Sequence, residues 1–162
     1  MTARIFDDCF KKLMEIEGGY VNDSRDSGGE TKYGISKKAY PEVDIKNLTL
    51  QQAKDIYYQD YWKRCKCDYL PDCLCMAVFD YAVNSGTIKA IKSLQVALGV
   101  TVDGIIGNQT IGAANRVPLG PVIESIHSER LNFLRSLKNW KYYGNGWGAR
   151  VNKVKEYCEG LI

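Results

Sequence analysis

Glu17, Asp26 and Thr31 are separated by eight and then four residues in the stretch EGGYVNDSRDSGGETKYGIS, residues 17–36. Two carboxylates and a hydroxyl at this spacing suit acid–base chemistry on water. Cleavage of a glycosidic bond is such a reaction. One carboxylic acid protonates the leaving oxygen, and a second group handles water at the sugar. Glu17 suits the first task, and Asp26 with the Thr31 hydroxyl suits the second. Gly28 and Gly29 lack side chains, so backbone there can approach a bulky polymer. Asp23 and Glu30 lie in the same stretch and are rivals to Asp26 for the water side. Taken bare, the pattern is weak, because acidic residues in a polar loop are solvated as a rule.

The elements that must position these groups are legible from periodicity. Ile5, Phe6, Cys9, Leu13 and Ile16 follow helical spacing and predict a first helix that stops at Gly18-Gly19. Glu17 then sits on its last turn. The negative end of the helix dipole disfavours a carboxylate there, a bias toward the protonated form that a general acid uses. Residues 20–48 are turn-rich, with at most a small β-hairpin in 20–36. Thr49 and Gln52 form a capping box opening a helix through Ala53, Ile56, Tyr57 and Tyr61. Pro71 suits the first turn of a helix, apolar almost all round, that stops at Gly86 and should be the buried central one. Further helices are predicted over 87–98, near 109–116 with an Asn or Thr cap, and within 118–138. The stretch NWKYYGNGWG (139–148) reads as a glycine- and aromatic-rich loop before a last helix ending near Glu159. The expected fold class is mainly α.

Composition excludes several classes of function. The chain has 162 residues, 45% hydrophobic and 25% charged, which suits one domain of one or two lobes. It contains no apolar run of 18 residues, so no membrane-spanning helix is predicted. Its start, MTARIFDDCFKKL, lacks the apolar core of a secretory signal. Synthesis in a cytoplasm is therefore expected, and action outside needs export or release. There is no phosphate-binding loop and no dinucleotide fingerprint, so no cofactor is expected.

Six cysteines stand at 9, 65, 67, 73, 75 and 158. The paired C-x-C spacing is a poor match to structural zinc sites, so no metal is expected and the thiols read as reduced, small, buried groups. The single His127, inside a predicted helix, reads as a packed or surface histidine rather than a base. Residues 1–80 carry 12 basic and 14 acidic groups, whereas 81–162 carry 10 and 5. From Arg130 to Lys155 there are seven Lys/Arg and no acid, a field that attracts polyanions. No nucleic-acid module is recognisable, so an anionic cell wall fits this charge better.

The order Glu17, Asp26, Thr31 resembles the Glu–Asp–Thr triad of phage-type lysozymes, which has a slightly longer second spacer. More specifically, EGGYVNDSRDSGGETKYGIS resembles the signature of glycoside hydrolase family 108, N-acetylmuramidases found as phage lysins. LTLQQAKDIYYQDYW (48–62), VFDYAVNSG (78–86), LQVALGVTVDGIIGNQTI (94–111) and NGWGARVNKV (145–154) resemble later blocks of that family, in order. The third of these is its peptidoglycan-binding-type segment. The resemblance implies a lysozyme-like helical fold and cleavage of the β-1,4 bond between N-acetylmuramic acid and N-acetylglucosamine. It places Glu17 on the catalytic glutamate and Asp26 on the aspartate before the Gly-Gly pair. Ser27 stands where proline is common.

On this view 1–86 is the catalytic part and 87–162 a peptidoglycan-binding-type helical part of the same globular unit. The expected partner is bacterial peptidoglycan, met by a monomer without stable membrane insertion, in the setting of an endolysin released through a holin. Tyr33 and Asn84 are the substrate-side candidates, Asn84 because an amide at the end of an apolar helix can meet a sugar N-acetyl group. Asp80, mid-helix, reads as a buried carboxylate bonded to backbone. Trp62, Trp140 and Trp147 suit either sugar stacking or the core. The competing reading is a non-catalytic peptidoglycan-binding or scaffold module with a lysozyme fold. It would pellet with wall and release no reducing ends.

Overall fold

A computed structural model describes residues 2–17, 19–22 and 29–162. Its described residues form seven α-helices and one small antiparallel sheet, so the chain is mainly α, as its periodicity predicts. The chain divides into two compact units, Ala3–Asp60 and Tyr61–Ile162. The 86/87 boundary drawn from the sequence falls inside the second unit, at Gly86, between two helices that pack on each other.

In the first unit, α1 (Thr2–Glu17) buries Ile5, Phe6, Cys9, Phe10 and Leu13, one apolar stripe at helical spacing. It stops where the sequence places a glycine pair. Next come β1 (Val21–Asn22), β2 (Glu30–Lys32) and β3 (Ile35–Ser36), a three-stranded sheet in the order β1-β2-β3. That is one strand more than the expected hairpin. Val21 pairs with Thr31, and Lys32 with Ile35. Tyr33 and Gly34 close the second hairpin with φ of +53° and +80°. A two-residue turn with both central φ positive is type I′, whose twist matches that of the strands. Helix α2 (Leu50–Tyr57) opens with the predicted capping box. Thr49 Oγ1 accepts from the Gln52 amide at 3.1 Å, and the Thr49 amide donates to Gln52 Oε1 at 2.9 Å. The helix runs into a π-helical turn, Tyr58–Trp62. Phe10 of α1 packs on Tyr57 of α2 with ring centroids 5.9 Å apart.

The second unit is built around α3 (Asp72–Ser85), in which every residue from Cys73 to Ala82 is buried. Pro71 stands just before it, at the N-cap. Helix α3 packs against α4 (Thr87–Leu98), α6 (Leu119–Ser136) and α7 (Trp140–Glu159). Gly86, at φ +99°, joins α3 to α4 in one residue, and Gly99, at φ +71°, ends α4. Helix α5 (Asn108–Ala114) starts from Gly107 without a side-chain cap, where the sequence predicts an Asn or Thr cap. Trp62 is fully buried, edge-on to Phe79 at 5.3 Å, and its Nε1 donates to Asp68 at 2.7 Å. It is therefore a core residue rather than a sugar platform.

Two expectations are corrected here. Asp80 is fully buried, but its partners are side chains rather than backbone. Arg130 Nη1 of α6 donates to its Oδ2 at 2.7 Å, and Arg150 Nη2 of α7 donates to its Oδ1 at 3.0 Å. Burial opposes the charge, but the two guanidinium groups outweigh it and hold the carboxyl below its ordinary range. The stretch 139–148 is not a loop, because α7 begins at Trp140 and runs through it. Glycines 144, 146 and 148 each weaken a helix by about 1 kcal/mol relative to alanine. The local rings and the packing of the following turns on α3 and α6 outweigh that preference. The Trp140 indole packs against Gly144. A Cβ there would sit 2.7 Å from the ring.

All six cysteines are free and buried. The Cys75 thiol donates to the Cys67 carbonyl at 3.1 Å, and burial pushes the Cys65 and Cys158 thiols up to about 12.

Candidate active site

Glu17 is the last residue of α1 and is half-buried. Its side chain lies against the type I′ turn. A Cβ built on Gly34 would come within 3.1 Å of Glu17 Cγ and Cδ and 2.3 Å from the Tyr57 hydroxyl. Only glycine fits there, for reasons of space and of backbone conformation. The Tyr57 hydroxyl donates to the Tyr33 carbonyl at 2.6 Å. The turn is thus tied to α2 by this hydrogen bond, and the carboxyl-bearing end of α1 rests on it.

Thr31 is the central residue of β2, two positions before that turn, and is half-buried. Its Oγ1 donates to the Gly29 carbonyl at 3.3 Å. The hairpin carries both Thr31 and Tyr33, and its turn touches Glu17, so three of the expected residues are brought to one sheet and helix end. Lys32 Nζ lies 5.4 Å from the centre of the Tyr33 ring. Asp26, and its rival Asp23, lie outside the described residues. Glu30, the other rival, accepts from the Tyr20 hydroxyl at 2.5 Å, a bond that pushes the Tyr20 phenol up.

Asn84 belongs to the second unit. It is exposed on the last turn of α3, and its Oδ1 accepts from Arg130 Nη2 at 3.3 Å. One guanidinium therefore serves both the buried Asp80 and the exposed amide. The Asn84 oxygen keeps a second lone pair, and its amide nitrogen supplies two donors.

Sequence reasoning misses Tyr57 and Gly34, and it misses an open groove in the first unit. That groove, of about 480 Å³, is lined by Val43, Asp44, Asn47, Leu48, Gln52 and Asp55 with Ile56. Its one signal in the sequence is a polar, turn-rich segment before a capping box. Among the described residues no cluster of three or more His, Cys, Asp or Glu is placed to hold a metal ion.

These features define a mainly α, lysozyme-like protein in which a carboxyl-bearing helix end meets the turn of a small sheet. The profile of the Glycosyl hydrolase 108 family matches residues 10–86, a span that contains Glu17, Asp26, Thr31, Tyr33 and Asn84. Among solved structures, the chain is similar to one described as the structure of Brucella abortus SagA. The two share 32% identity with a TM-score of 0.88, over 96% of this chain and 94% of that one. A comparison with curated proteins found no match. The chain belongs to the glycosyl hydrolase 108 family, and its activity class is glycoside hydrolysis.

Proposed function

We propose that the chain is an N-acetylmuramidase that cuts the β-1,4 bond between N-acetylmuramic acid and N-acetylglucosamine in bacterial peptidoglycan. Membership of a glycosyl hydrolase family supports the reaction class. The observation that carries the residue assignment is the Glu17 carboxyl seated on the Gly34 turn. In this reading Glu17 donates its proton to the glycosidic oxygen as the bond breaks. Asp26 accepts a proton from water that attacks the anomeric carbon, and the Thr31 hydroxyl orients that water. The order of residues parallels phage-type lysozymes, and an inverting course follows from that analogy. Carboxyl groups about 6.5–9.5 Å apart favour inversion, and about 5–5.5 Å retention. Tyr33 and the Asn84 amide are assigned to the substrate. Residues 1–86 are the catalytic part and 87–162 hold the wall. The protein acts as a monomer on the cell wall, released from the cytoplasm as an endolysin is.

The test is clearing of purified peptidoglycan with mass analysis of the products. Glu17→Gln should lose activity by about 10²- to 10⁴-fold while keeping its fold. Full activity in that variant sinks the assignment. New ends should be reducing muramic acid; anhydro ends would make the enzyme a lytic transglycosylase. Asp26→Asn should lose most activity as well. Should Asp23→Asn or Glu30→Gln be the damaging change, the water side belongs to that residue instead.

A further inference from the structure

Asp80 and Asn84 stand one helical turn apart on α3, so their side chains share a face of that helix. One guanidinium reaches both. Arg130 Nη1 donates to Asp80 Oδ2 at 2.7 Å, and Arg130 Nη2 donates to Asn84 Oδ1 at 3.3 Å. Asp80 does not need this arginine to be neutralised. Arg150 already grips it, Nη2 to Oδ1 at 3.0 Å and Nε to Oδ2 at 3.3 Å. Arg130 therefore leaves the cluster with a positive charge in excess, on a residue only 2% exposed. A buried charge beyond its pair costs stability, which calls for a compensating role. Among the described residues the Arg130 Nε has no hydrogen-bond partner, so the bond this guanidinium makes outside the Asp80 pair is the one to Asn84.

The guanidinium is held from more than one side. Its Cζ lies 5.1 Å from the centre of the Tyr81 ring, and the Tyr81 hydroxyl donates to Glu129 at 3.0 Å. A planar fork fixed in this way presents its N–H donors in a set direction. An asparagine amide meets such a donor by its oxygen, because the inverted amide would set N–H against N–H. Arg130 thus fixes which end of the Asn84 amide faces inward and turns the nitrogen away from the guanidinium. An exposed amide without that bond samples both orientations and loses this freedom when a ligand binds. The held amide is already set to donate to a carbonyl or hydroxyl oxygen, the groups an N-acetylated sugar carries.

We infer that Arg130 is a positioning residue, which orients the Asn84 amide so that its nitrogen donates to an acetamido or hydroxyl oxygen of the glycan. The inference rests on the reading of Asn84 as a substrate-side group in a wall hydrolase and adds the residue that sets its direction. Lysine at 130 keeps the charge beside Asp80 but cannot fork to the amide. The test is a double-mutant cycle read as the Kd of a soluble tetrasaccharide fragment of purified peptidoglycan. Calorimetry is done on the full chain in a Glu17→Gln background, so that the fragment is not cut. Asn84→Ala and Arg130→Lys should each weaken binding about three- to tenfold, the worth of one neutral hydrogen bond. Together they should weaken it no further than Asn84→Ala alone, because the arginine acts through the amide. With Glu17 intact, Arg130→Lys should raise KM by the same factor and leave kcat within about twofold.

Effects that multiply in the double variant overturn the inference and leave Asn84 on the substrate. Unchanged binding in Asn84→Ala removes Asn84 from the substrate side, and the positioning role falls with it. A wild-type chain that binds the fragment but never cuts it sinks the proposed reaction alone, and the binding cycle still decides the role of Arg130. A Glu17→Gln chain that binds no such fragment overturns both. Should Arg130→Lys melt early, Asn84→Asp decides. Its carboxylate still accepts from Arg130 but offers no donor to the glycan. Weakened binding with an unchanged or raised melting point supports the inference, and binding equal to that of the Asn84 chain overturns it.

Discussion

At the scale of single residues, the site depends on an atom that is missing. Gly34 has φ of +80°, and a methyl group there would collide with the Tyr57 hydroxyl and the Glu17 side chain. Gly34→Ala should therefore cost about 1–3 kcal/mol of stability. It should also lower wall hydrolysis by more than its melting shift explains, because the carboxyl is pushed off its seat. Paired melting and turbidity assays check this; normal activity with a lowered melting point would show that the turn does not position Glu17. Glu17 itself was legible, since an acidic residue just before a glycine pair must fall on a helix end. Tyr57 was not. A tyrosine at an apolar position of an amphipathic helix reads as core, and its bond reaches a carbonyl 24 residues away. Asp80 was recognisable as a buried carboxylate, but its arginines, 50 and 70 residues downstream, were not.

At the scale of elements, the Asp80 cluster ties α3 to α6 and α7. Asp80→Asn leaves two guanidinium groups facing a neutral amide, and the loss should be about 3–5 kcal/mol. The pH dependence has a definite sign. The folded carboxyl titrates below its ordinary value of 3.8, so its contribution is complete above that range. It is lost as pH falls through the lower, folded value. Chemical denaturation of wild type between neutral pH and pH 3 should show this decline, and Asp80→Asn should lack that part of it; parallel curves would refute the assignment. Helix ends marked by local chemistry were readable in advance: the Thr49–Gln52 box, Gly86 and Gly99. The start of α7 was not, because three glycines in five residues signal a loop. The contact that overrides them, Trp140 across Gly144, forms only once the helix exists.

At the scale of the whole molecule, the six buried thiols make a simple prediction. With Cys65 and Cys158 pushed up to about 12, native protein should react negligibly with a thiol-specific disulfide reagent and show the same melting point with or without reductant. All six should react once it unfolds, and fast reaction of the native state would contradict the packing. The mainly α class was readable because helical periodicity runs through most of the chain. The division at 60/61 was not, since it falls inside a continuous helical segment with no linker composition to mark it. The Asp80 pairing also bears on how the second unit comes apart. A partly folded state with α3 enclosed but α6 or α7 detached would hold a carboxylate without one of its cations in an apolar interior, at a cost of several kcal/mol. Such intermediates are suppressed, so these three helices gain and lose their structure together, as one cooperative block.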